Sequence, residues 1–304
     1  MNENISSNSV TEPVSVGIIG LGTVGAVLAQ LFGKASIPFV VYDILLADPE
    51  QRQAINARAA VVKATLAELP TLIAQSSIII STVTTQVAVK VANQCLPLLK
   101  KGQVYIDFNS TSPAIKKEIW QLIESGEAAF VEGVILNAVH LHDTTIHVLT
   151  AGKDGAEITA FLQSVGITAR FYAAEIGKAS LFKMTRSIFS KGLEALLLEM
   201  MVTARKAGIE KEIWTEITNF MDSKPFREIA GSWIKSHPQS CERRFYEMHQ
   251  VLETMTETGV PPIMTHATLQ YFELSVARNL PPLAAESSLS TEAVIDLIAN
   301  YTNT

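Results

Sequence analysis

The sequence has few cysteines, no long apolar run and no basic cluster. Its two cysteines, Cys95 and Cys241, lie far apart, which excludes a disulfide framework and a Cys-x-x-Cys metal pair. No stretch reaches the roughly 18 apolar residues that a membrane-spanning helix requires. No Lys/Arg run exceeds two residues, and 24 basic against 30 acidic residues give a net charge of −6. We therefore expect neither a nucleic-acid nor a membrane partner.

The composition is that of a globular protein. The chain has 304 residues, of which 48% are hydrophobic and 18% are charged, so it can bury the cores of two ordinary domains. Residues 1–13 are polar and are predicted to form a disordered tail. They have neither the basic start nor the apolar centre of a signal peptide, so we expect a cytoplasmic protein.

Apolar segments alternate with amphipathic helices from residue 14 to residue 172. Continuous apolar strands between helices are typical of a parallel sheet that is covered on both faces. The predicted strands are Val14–Ile19, Phe39–Tyr42, Ala57–Val62, Ser77–Ser81, Val104–Phe108, Ala129–Glu132 and Thr145–Thr150. The predicted helices between them are Gly22–Phe32, Thr65–Ala74, Val87–Leu98 and Pro113–Ser125.

The strands stop after about Phe171, and the rest of the chain has helical spacing. Ala179–Ala207 is predicted to be one long helix. The sequence thus predicts an α/β domain over 14–172 and an all-α domain over 173–304.

A glycine motif opens the α/β domain. Gly20, Gly22 and Gly25 match GxGxxG, and the motif follows an apolar strand and begins a helix. This context is typical of a Rossmann βαβ unit, in which the glycines make the turn, admit the pyrophosphate and let helix and strand pack closely. The helix N-terminus attracts the phosphates, and we expect Leu21, Thr23 and Val24 to bind the cofactor as well. The alternative is a glycine turn in an unrelated α/β protein.

Asp43 ends the second predicted strand, 18 residues after Gly25. A carboxylate at this position accepts hydrogen bonds from the ribose hydroxyls and repels the 2′-phosphate of NADP. Ile44 follows Asp43 directly, so no Arg or Lys stands at the next position to bind the 2′-phosphate. We therefore expect the cofactor to be NAD in preference to NADP.

A lysine stands near the start of the long helix. Ser180, Lys183 and Ser187 are spaced by three and four residues and share one helical face. Burial beside a cationic nicotinamide would lower the pKa of such a lysine, which suits a general acid/base. Spacing alone favours the alternative, a solvated lysine near the start of a helix.

Three segments together carry a resemblance. They are the glycine motif, Asp107-Phe108-Asn109-Ser110-Thr111-Ser112-Pro113, and the stretch from Gly177 to Lys183. In this order they resemble the β-hydroxyacid dehydrogenase family, which includes 3-hydroxyisobutyrate and 6-phosphogluconate dehydrogenases. Residues 183–187 and 191–197 further resemble a phosphogluconate-dehydrogenase-like subgroup with a C-terminal domain of unknown function.

The resemblance implies a Rossmann domain joined by one long helix to an all-α domain, a cleft between them, and a homodimer. It implies that Lys183 is catalytic and that the segment from Asp107 to Ser110 anchors the substrate, with Asn109 replacing a serine. It also implies a loop beside the nicotinamide, formed by Ser81, Thr82 and Val83.

The chain departs from the family on the substrate side. A Ser-Gly-Gly turn that holds the substrate carboxylate in the family is absent at Leu136-Asn137-Ala138, and Ser187 stands where the family has Asn. These changes leave the usual small hydroxy acid in doubt. The residues that we expect to bind the substrate are Asn109, Ser110, Thr111, Arg186 and Ser187.

His140, His142 and His147 cluster in one segment without the further ligands that a metal site needs, so no metal is expected. His140 or His142 is instead a candidate for the substrate cleft.

The predicted function is an NAD-dependent oxidoreductase that moves a hydride between nicotinamide and a small hydroxylated or carbonyl substrate. Lys183 would be its general acid/base. The alternatives are an imine reductase of the same architecture, oxidation followed by decarboxylation, and a dinucleotide-binding sensor without catalysis.

Overall fold

The structure is a computed structural model that describes residues 14–280 and 289–300. The predicted tail at residues 1–13 lies outside the described residues. The chain divides into two compact units that meet between Arg186 and Ser187. The domain boundary expected between residues 172 and 173 stays a prediction.

The first unit is built on an eight-stranded sheet with the strand order β3-β2-β1-β4-β5-β6-β7-β8. Neighbouring strands run parallel except β6 and β7, which are antiparallel. The strands are β1 Val16–Ile19, β2 Phe39–Tyr42, β3 Thr65–Leu66, β4 Ile78–Ser81, β5 Val104–Asp107, β6 Ala129–Ile135, β7 His147–Ala151 and β8 Thr168–Ala173.

Helices follow most of the strands and bury both faces of the sheet. Ile18 and Ile80 pack into one apolar core, whereas their neighbours Ile19 and Ile79 pack into another. Since successive strand residues point to opposite faces, both faces need apolar side chains, and the strands are continuously apolar. The helices of this unit are α1 Thr23–Lys34, α2 Pro49–Val61, α3 Leu69–Gln75, α4 Ala88–Cys95, α5 Pro113–Glu124 and α6 Gly155–Ser164.

The strand predicted at Ala57–Val62 is wrong, because these residues belong to α2 or follow it directly. Asp48 caps α2 by accepting a hydrogen bond from the Glu50 N–H at 3.0 Å, and a proline suits the first helical position. The third strand is instead the short β3. It takes the first residues of the helix predicted at Thr65–Ala74, so that helix begins later, at α3.

The sheet is parallel, as expected, except at one pair of strands that the sequence did not predict to be antiparallel. β6 extends beyond the predicted Glu132, and its residue Ile135 pairs with Val148 of the antiparallel β7. A parallel pair needs a long crossover, usually a helix, to return the chain to the same edge. The connection at residues 136–146 contains only turns and a bridge, so β7 runs back beside β6.

Beyond β8 the described chain is helical, as the sequence predicts. Helix α7, Lys178–Ala207, begins in the first unit and continues into the second. The second unit contains α8 Glu210–Asp222, α9 Phe226–Thr258, α10 Ile263–Ala277 and α11 Thr291–Asn300. The predicted fold class, a Rossmann α/β domain followed by an all-α region with a long connecting helix, is confirmed. None of the helices within residues 14–280 and 289–300 is long and apolar enough to cross a membrane.

Candidate functional site

The glycine loop lies between β1 and α1. Gly20 has φ +99°, and a Cβ there would lie 2.8 Å from the carbonyl oxygen of Thr82. A Cβ on Gly25 would overlap the carbonyl oxygen of Gly20. A Cβ on Gly22 would instead meet nothing within 4 Å. The loop is therefore tight on its protein side and open at Gly22, where a ligand can approach the backbone closely.

The first turn of α1 follows Gly22 and contains Thr23 and Val24. Gly22 is the residue that caps this helix, and it has no side chain to accept a hydrogen bond from the first N–H groups. Those N–H groups and the helix dipole form an anion-binding end of the kind that holds a pyrophosphate.

Asp43 lies directly after β2 and is 8% exposed. Its Oδ2 accepts a hydrogen bond from the Leu21 N–H at 2.7 Å, and its Oδ1 accepts one from the Leu45 N–H at 3.0 Å. A carboxylate has about four acceptor positions, so both oxygens retain capacity for a ligand hydroxyl. Arg58 supports the same loop by donating to the Leu21 carbonyl at 2.6 Å.

Tyr42 and Asp43 both line a cavity beside the glycine loop. Burial, followed by the nearby Glu68 and Asp43 carboxylates, raises the pKa of its phenol. The ring therefore stays neutral in ordinary buffers and presents an amphipathic surface to a ligand.

Two cavities meet at the loop that follows β4. One, of about 460 Å³, runs from the glycine loop past Asp43. The other, of about 440 Å³, reaches Ser110 and Lys183. They share Val24 and the segment 82–84 in their walls, so they lie side by side. Together we call them the groove, with Asp43 in the wall of one cavity and Lys183 in the wall of the other. A dinucleotide, which is long and has two distinct ends, fits a groove of this kind.

Thr82 and Val83 line this groove where the two cavities adjoin, whereas Ser81, also expected beside the cofactor, is fully buried and lines neither cavity. The Thr82 hydroxyl donates to the Gly20 carbonyl at 2.8 Å, and the Val83 N–H donates to Oδ1 of Asn109 at 2.7 Å. Nδ2 of Asn109 in turn donates to the Ser81 hydroxyl at 3.0 Å. These contacts fix the loops after β1, β4 and β5 against one another.

The three residues expected after β5 differ in exposure. Asn109 lines the groove but is only 2% exposed, since its amide bonds to the loop after β4. Thr111 is 1% exposed, and its hydroxyl has no partner among the described residues. Ser110 is exposed, and its hydroxyl accepts a hydrogen bond from Nζ of Lys183 at 2.6 Å.

Lys183 lines the end of the groove, and Arg186 follows on the same helix. Arg186 donates to the Leu136 carbonyl at 2.6 Å, within the altered turn. Ser187 belongs to the second unit.

Asn137 and Val139, which precede His140 in the chain, also line the groove. The rings of His140 and His142 stack at 5.5 Å, and neither residue lines the groove.

Lys116 was not singled out in the sequence, and Asp107, expected within the segment that anchors the substrate, instead pairs with it away from both cavities. Both side chains are fully buried, and Nζ of Lys116 lies 2.8 Å from Oδ1 and from the carbonyl oxygen of Asp107. Oδ1 of Asp107 also accepts the N–H of Asn109 at 2.7 Å, so the pair holds the Asn109–Ser110 loop. Lys116 precedes the buried Ile119 and Ile123 by three and seven residues, so it shares their helical face. This spacing could have indicated that Lys116 is buried.

Comparison with known proteins agrees with this geometry. The sequence model of the NAD binding domain of 6-phosphogluconate dehydrogenase matches residues 15–170, and a domain of unknown function, DUF1932, matches residues 204–275. An uncharacterized 28.5 kDa protein of Methanothermus fervidus is 27% identical over 258 residues, which cover 85% of this chain and 97% of that protein. The mitochondrial 3-hydroxyisobutyrate dehydrogenase of Homo sapiens is 28% identical over 139 residues, 44% of this chain and 40% of that enzyme.

Two solved structures extend the comparison. The conserved protein MTH1747, described as structurally similar to 3-hydroxyacid dehydrogenases, is 28% identical with a TM-score of 0.57, covering 88% of this chain and 99% of its own. An imine reductase variant from Myxococcus stipitatus in complex with NAD+ has a TM-score of 0.73 at 17% identity, covering 88% of this chain and 95% of its own. The latter likeness concerns the fold alone. Because the model of the NAD binding domain of 6-phosphogluconate dehydrogenase matches more than half of the chain, the protein belongs to that NAD(P)-binding family.

Proposed function

We propose that this protein is an NAD-dependent dehydrogenase that oxidises a small hydroxylated substrate, or reduces the matching carbonyl, with Lys183 as the general acid/base. One observation carries the proposal. Nζ of Lys183 lies 2.6 Å from the Ser110 hydroxyl at the end of the same groove that begins at Asp43. Amine and hydroxyl thus meet where a substrate oxygen beside the nicotinamide would need a proton donor or acceptor.

The preference for NAD rests on Asp43. Its carboxylate is held by two backbone N–H groups and lines the groove with acceptor capacity left. The two ribose hydroxyls of NAD can donate to it, whereas the 2′-phosphate of NADP would meet a like charge.

The remaining roles follow from chemistry and position. Bound NAD supplies the hydride acceptor. Lys183 takes the hydroxyl proton of the substrate during oxidation and returns it during reduction. Ser110 holds the amine and offers a hydroxyl to the substrate oxygen, while Asn109 keeps the loop in place. Thr111, buried beneath them, supports the same loop.

The substrate end of the groove favours an anion. Among the described residues that border this cavity, Lys183 is the one ionisable side chain, and no carboxylate is present to repel an anion. Arg186 extends from the same helix and bonds to the altered turn at Leu136. We propose that Arg186 and Ser187 bind a polar or anionic group remote from the reacting carbon.

A substrate panel tests the proposal. Hydroxy acids, polyols and sugar acids are offered with NAD and NADP, and aldehydes, ketones and cyclic imines with the reduced cofactors. Reduced nicotinamide is followed by its absorbance. Turnover of a hydroxylated or carbonyl compound with NAD supports the proposal. Turnover of imines alone would replace it with an imine reductase, and cofactor binding with no turnover across the panel would indicate a sensor.

We also propose that the protein is a homodimer. The second unit exposes large apolar side chains on α7 and α8, among them Ile188 at 76% and Leu198 at 61% exposure. Apolar helix faces of this extent are typical of obligate subunit interfaces. Light scattering on the purified chain at several concentrations measures the mass directly, and a monomer at all of them would exclude the dimer.

A further inference from the structure

Glu132 is a fully buried carboxylate on β6. Its Oε2 accepts a hydrogen bond from the Gly177 N–H at 2.6 Å, and its Oε1 accepts one from the Ser180 N–H at 2.6 Å. Gly177 directly precedes α7, and Ser180 is the third residue of that helix. One side chain from the sheet therefore satisfies two of the N–H groups that a helix start leaves open.

The start of α7 cannot cap itself. An N-cap serine or threonine ordinarily accepts the N–H of the third helical residue, whose side chain bonds back to the N-cap N–H. Gly177 has no side chain, and its φ of +97° lies in the left-handed region that favours glycine. Glu132 accepts both of the N–H groups that such a capping box would pair.

We infer that Glu132 is a positioning residue for Lys183. Lys183 follows Ser180 by three residues, so it lies about one turn further along the helix that Glu132 anchors. This inference rests on the proposed role of Lys183 in proton transfer. It assigns to Glu132 the task of holding the amine within reach of the Ser110 hydroxyl.

The other side of the Lys183–Ser110 contact is tied to the same strands. Asp107 is the register partner of Glu132 on the neighbouring β5, and its ion pair with Lys116 holds the loop that carries Ser110. Lys116 also donates to the Gly133 carbonyl at 3.2 Å. Helix α7 and the Ser110 loop are therefore both held by adjacent residues of β5 and β6. The pairing of these two strands thus helps to set the distance between the Lys183 amine and the Ser110 hydroxyl.

The carboxylate form of Glu132 matters for two reasons. Both of its oxygens accept, whereas a glutamine presents one acceptor and one NH2 group that would face an N–H donor. Its negative charge also lies at the positive end of a long helix. An uncharged side chain of the same size therefore cannot make both contacts.

Kinetics of Glu132→Gln provide the first test, with Glu157→Gln as the matched control. Glu157 is exposed in the first turn of α6, so its replacement removes the same charge from another helix start of the first unit. We expect kcat of E132Q to fall about 10- to 100-fold, as for a displaced catalytic group. The NAD Kd should stay unchanged, and Glu132→Asp, which keeps both acceptors, should recover part of the loss. A kcat within twofold of wild type for both Glu132 variants would overturn the inference.

A second measurement does not depend on turnover. Trace acylation with acetic anhydride, read by mass spectrometry, gives the reactivity of Lys183 relative to the exposed Lys34 in each protein. Loosening α7 should release the amine from Ser110 and raise this ratio severalfold in E132Q but not in E157Q. An unchanged ratio in E132Q and E132D overturns the inference. Full turnover in Lys183→Ala, together with a raised reactivity ratio in E132Q, would refute the proposed function and leave the positioning of Lys183 by Glu132 in place.

Discussion

Oδ2 of Asp43 accepts the backbone N–H of Leu21 at 2.7 Å, which fastens the end of β2 to the glycine loop. The carboxylate is therefore oriented before any ligand binds, and a second hydrogen bond, from Leu45, holds its other oxygen. A preorganised acceptor loses little freedom on binding, so its contribution to affinity is retained.

Asp43→Asn should weaken NAD binding about tenfold or more, because charge-assisted hydrogen bonds to the ribose are replaced by neutral ones. NADP binding should weaken less, since the repulsion of its 2′-phosphate disappears. Calorimetric Kd values for both cofactors measure the ratio. Asp48→Asn removes the same charge from the exposed start of α2 and should leave the ratio unchanged. An unaltered NAD-to-NADP ratio in Asp43→Asn would count against the proposed cofactor preference.

Lys183→Ala should lower kcat at least ~100-fold, the low end for loss of a general acid/base, with NAD Kd retained. The amine contacts Ser110 at the substrate end of the groove, away from Asp43 and the glycine loop, so cofactor binding has no cause to change. Lys178→Ala is the matched control, because Lys178 starts the same helix and its exposed amine pairs with Glu175. Undiminished turnover in Lys183→Ala would remove Lys183 from the mechanism.

Gly22→Ala and Gly25→Ala should separate cofactor binding from folding. A Cβ at Gly22 enters open space, so the free energy of unfolding should change by no more than about 1 kcal/mol while NAD binding weakens at least tenfold. A Cβ at Gly25 overlaps a backbone carbonyl, so that variant should lose about 1–3 kcal/mol of stability, as in other overpacked sites. Urea unfolding and calorimetry measure the two quantities. Equal stability losses in both variants would contradict the roles given to these glycines.

The features that could be predicted from the sequence are those with a short, local signal. The glycine loop combines a residue type with a spacing that few other structures share, whereas the spacing around Lys183 also fits a solvated lysine, and the family resemblance is what singles that residue out. The binding and catalytic roles of Asp43 and Lys183 stay predictions. The helix at Pro49–Val61 was not predicted, because its sequence signal is a cap, Asp48 before Pro49. The short apolar stretch after Ile55 favours a strand when it is considered alone. The direction of β7 could not be read from its apolar pattern, because β7 is buried like the parallel strands, and only the short connection from β6 distinguishes it.

The buried charges of the site were missed for a different reason. Lys116 and Glu132 act through partners distant in sequence, at Asp107 and at Gly177 and Ser180. A charged residue is ordinarily expected at the surface, and only the tertiary partner makes its burial tolerable. The burial of Asn109 also depends on distant partners, since its side-chain amide is hydrogen-bonded to Ser81 and Val83 in the loop after β4. Long-range pairing of this kind is specified by the fold rather than by any local pattern.

Glu199→Gln should destabilise the second unit in a pH-dependent way. The Glu199 carboxylate accepts hydrogen bonds from the Met264 and Thr265 N–H groups at 2.7 and 2.8 Å and from the Thr265 hydroxyl at 2.6 Å, at the start of α10. Burial acts to raise its pKa, but these hydrogen bonds outweigh burial and lower the pKa below the ordinary value of 4.5. A lowered folded-state pKa means that the stabilisation is complete above the unfolded pKa and is lost as the pH falls through the folded one. The variant should therefore lose about 1–3 kcal/mol near neutral pH, with the difference from wild type shrinking below about pH 4.5.

Glu194→Gln provides the control for this pH dependence, because Glu194 is an exposed residue of the same helix. Its replacement should change the free energy of unfolding by no more than about 0.5 kcal/mol at any pH, as for most surface substitutions. Urea unfolding followed by circular dichroism, repeated across the acidic range, yields the three curves. The stability difference between wild type and Glu199→Gln could instead stay constant down to acid pH. Ionisation of Glu199 would then contribute nothing to the stability of the start of α10, and the prediction would be wrong.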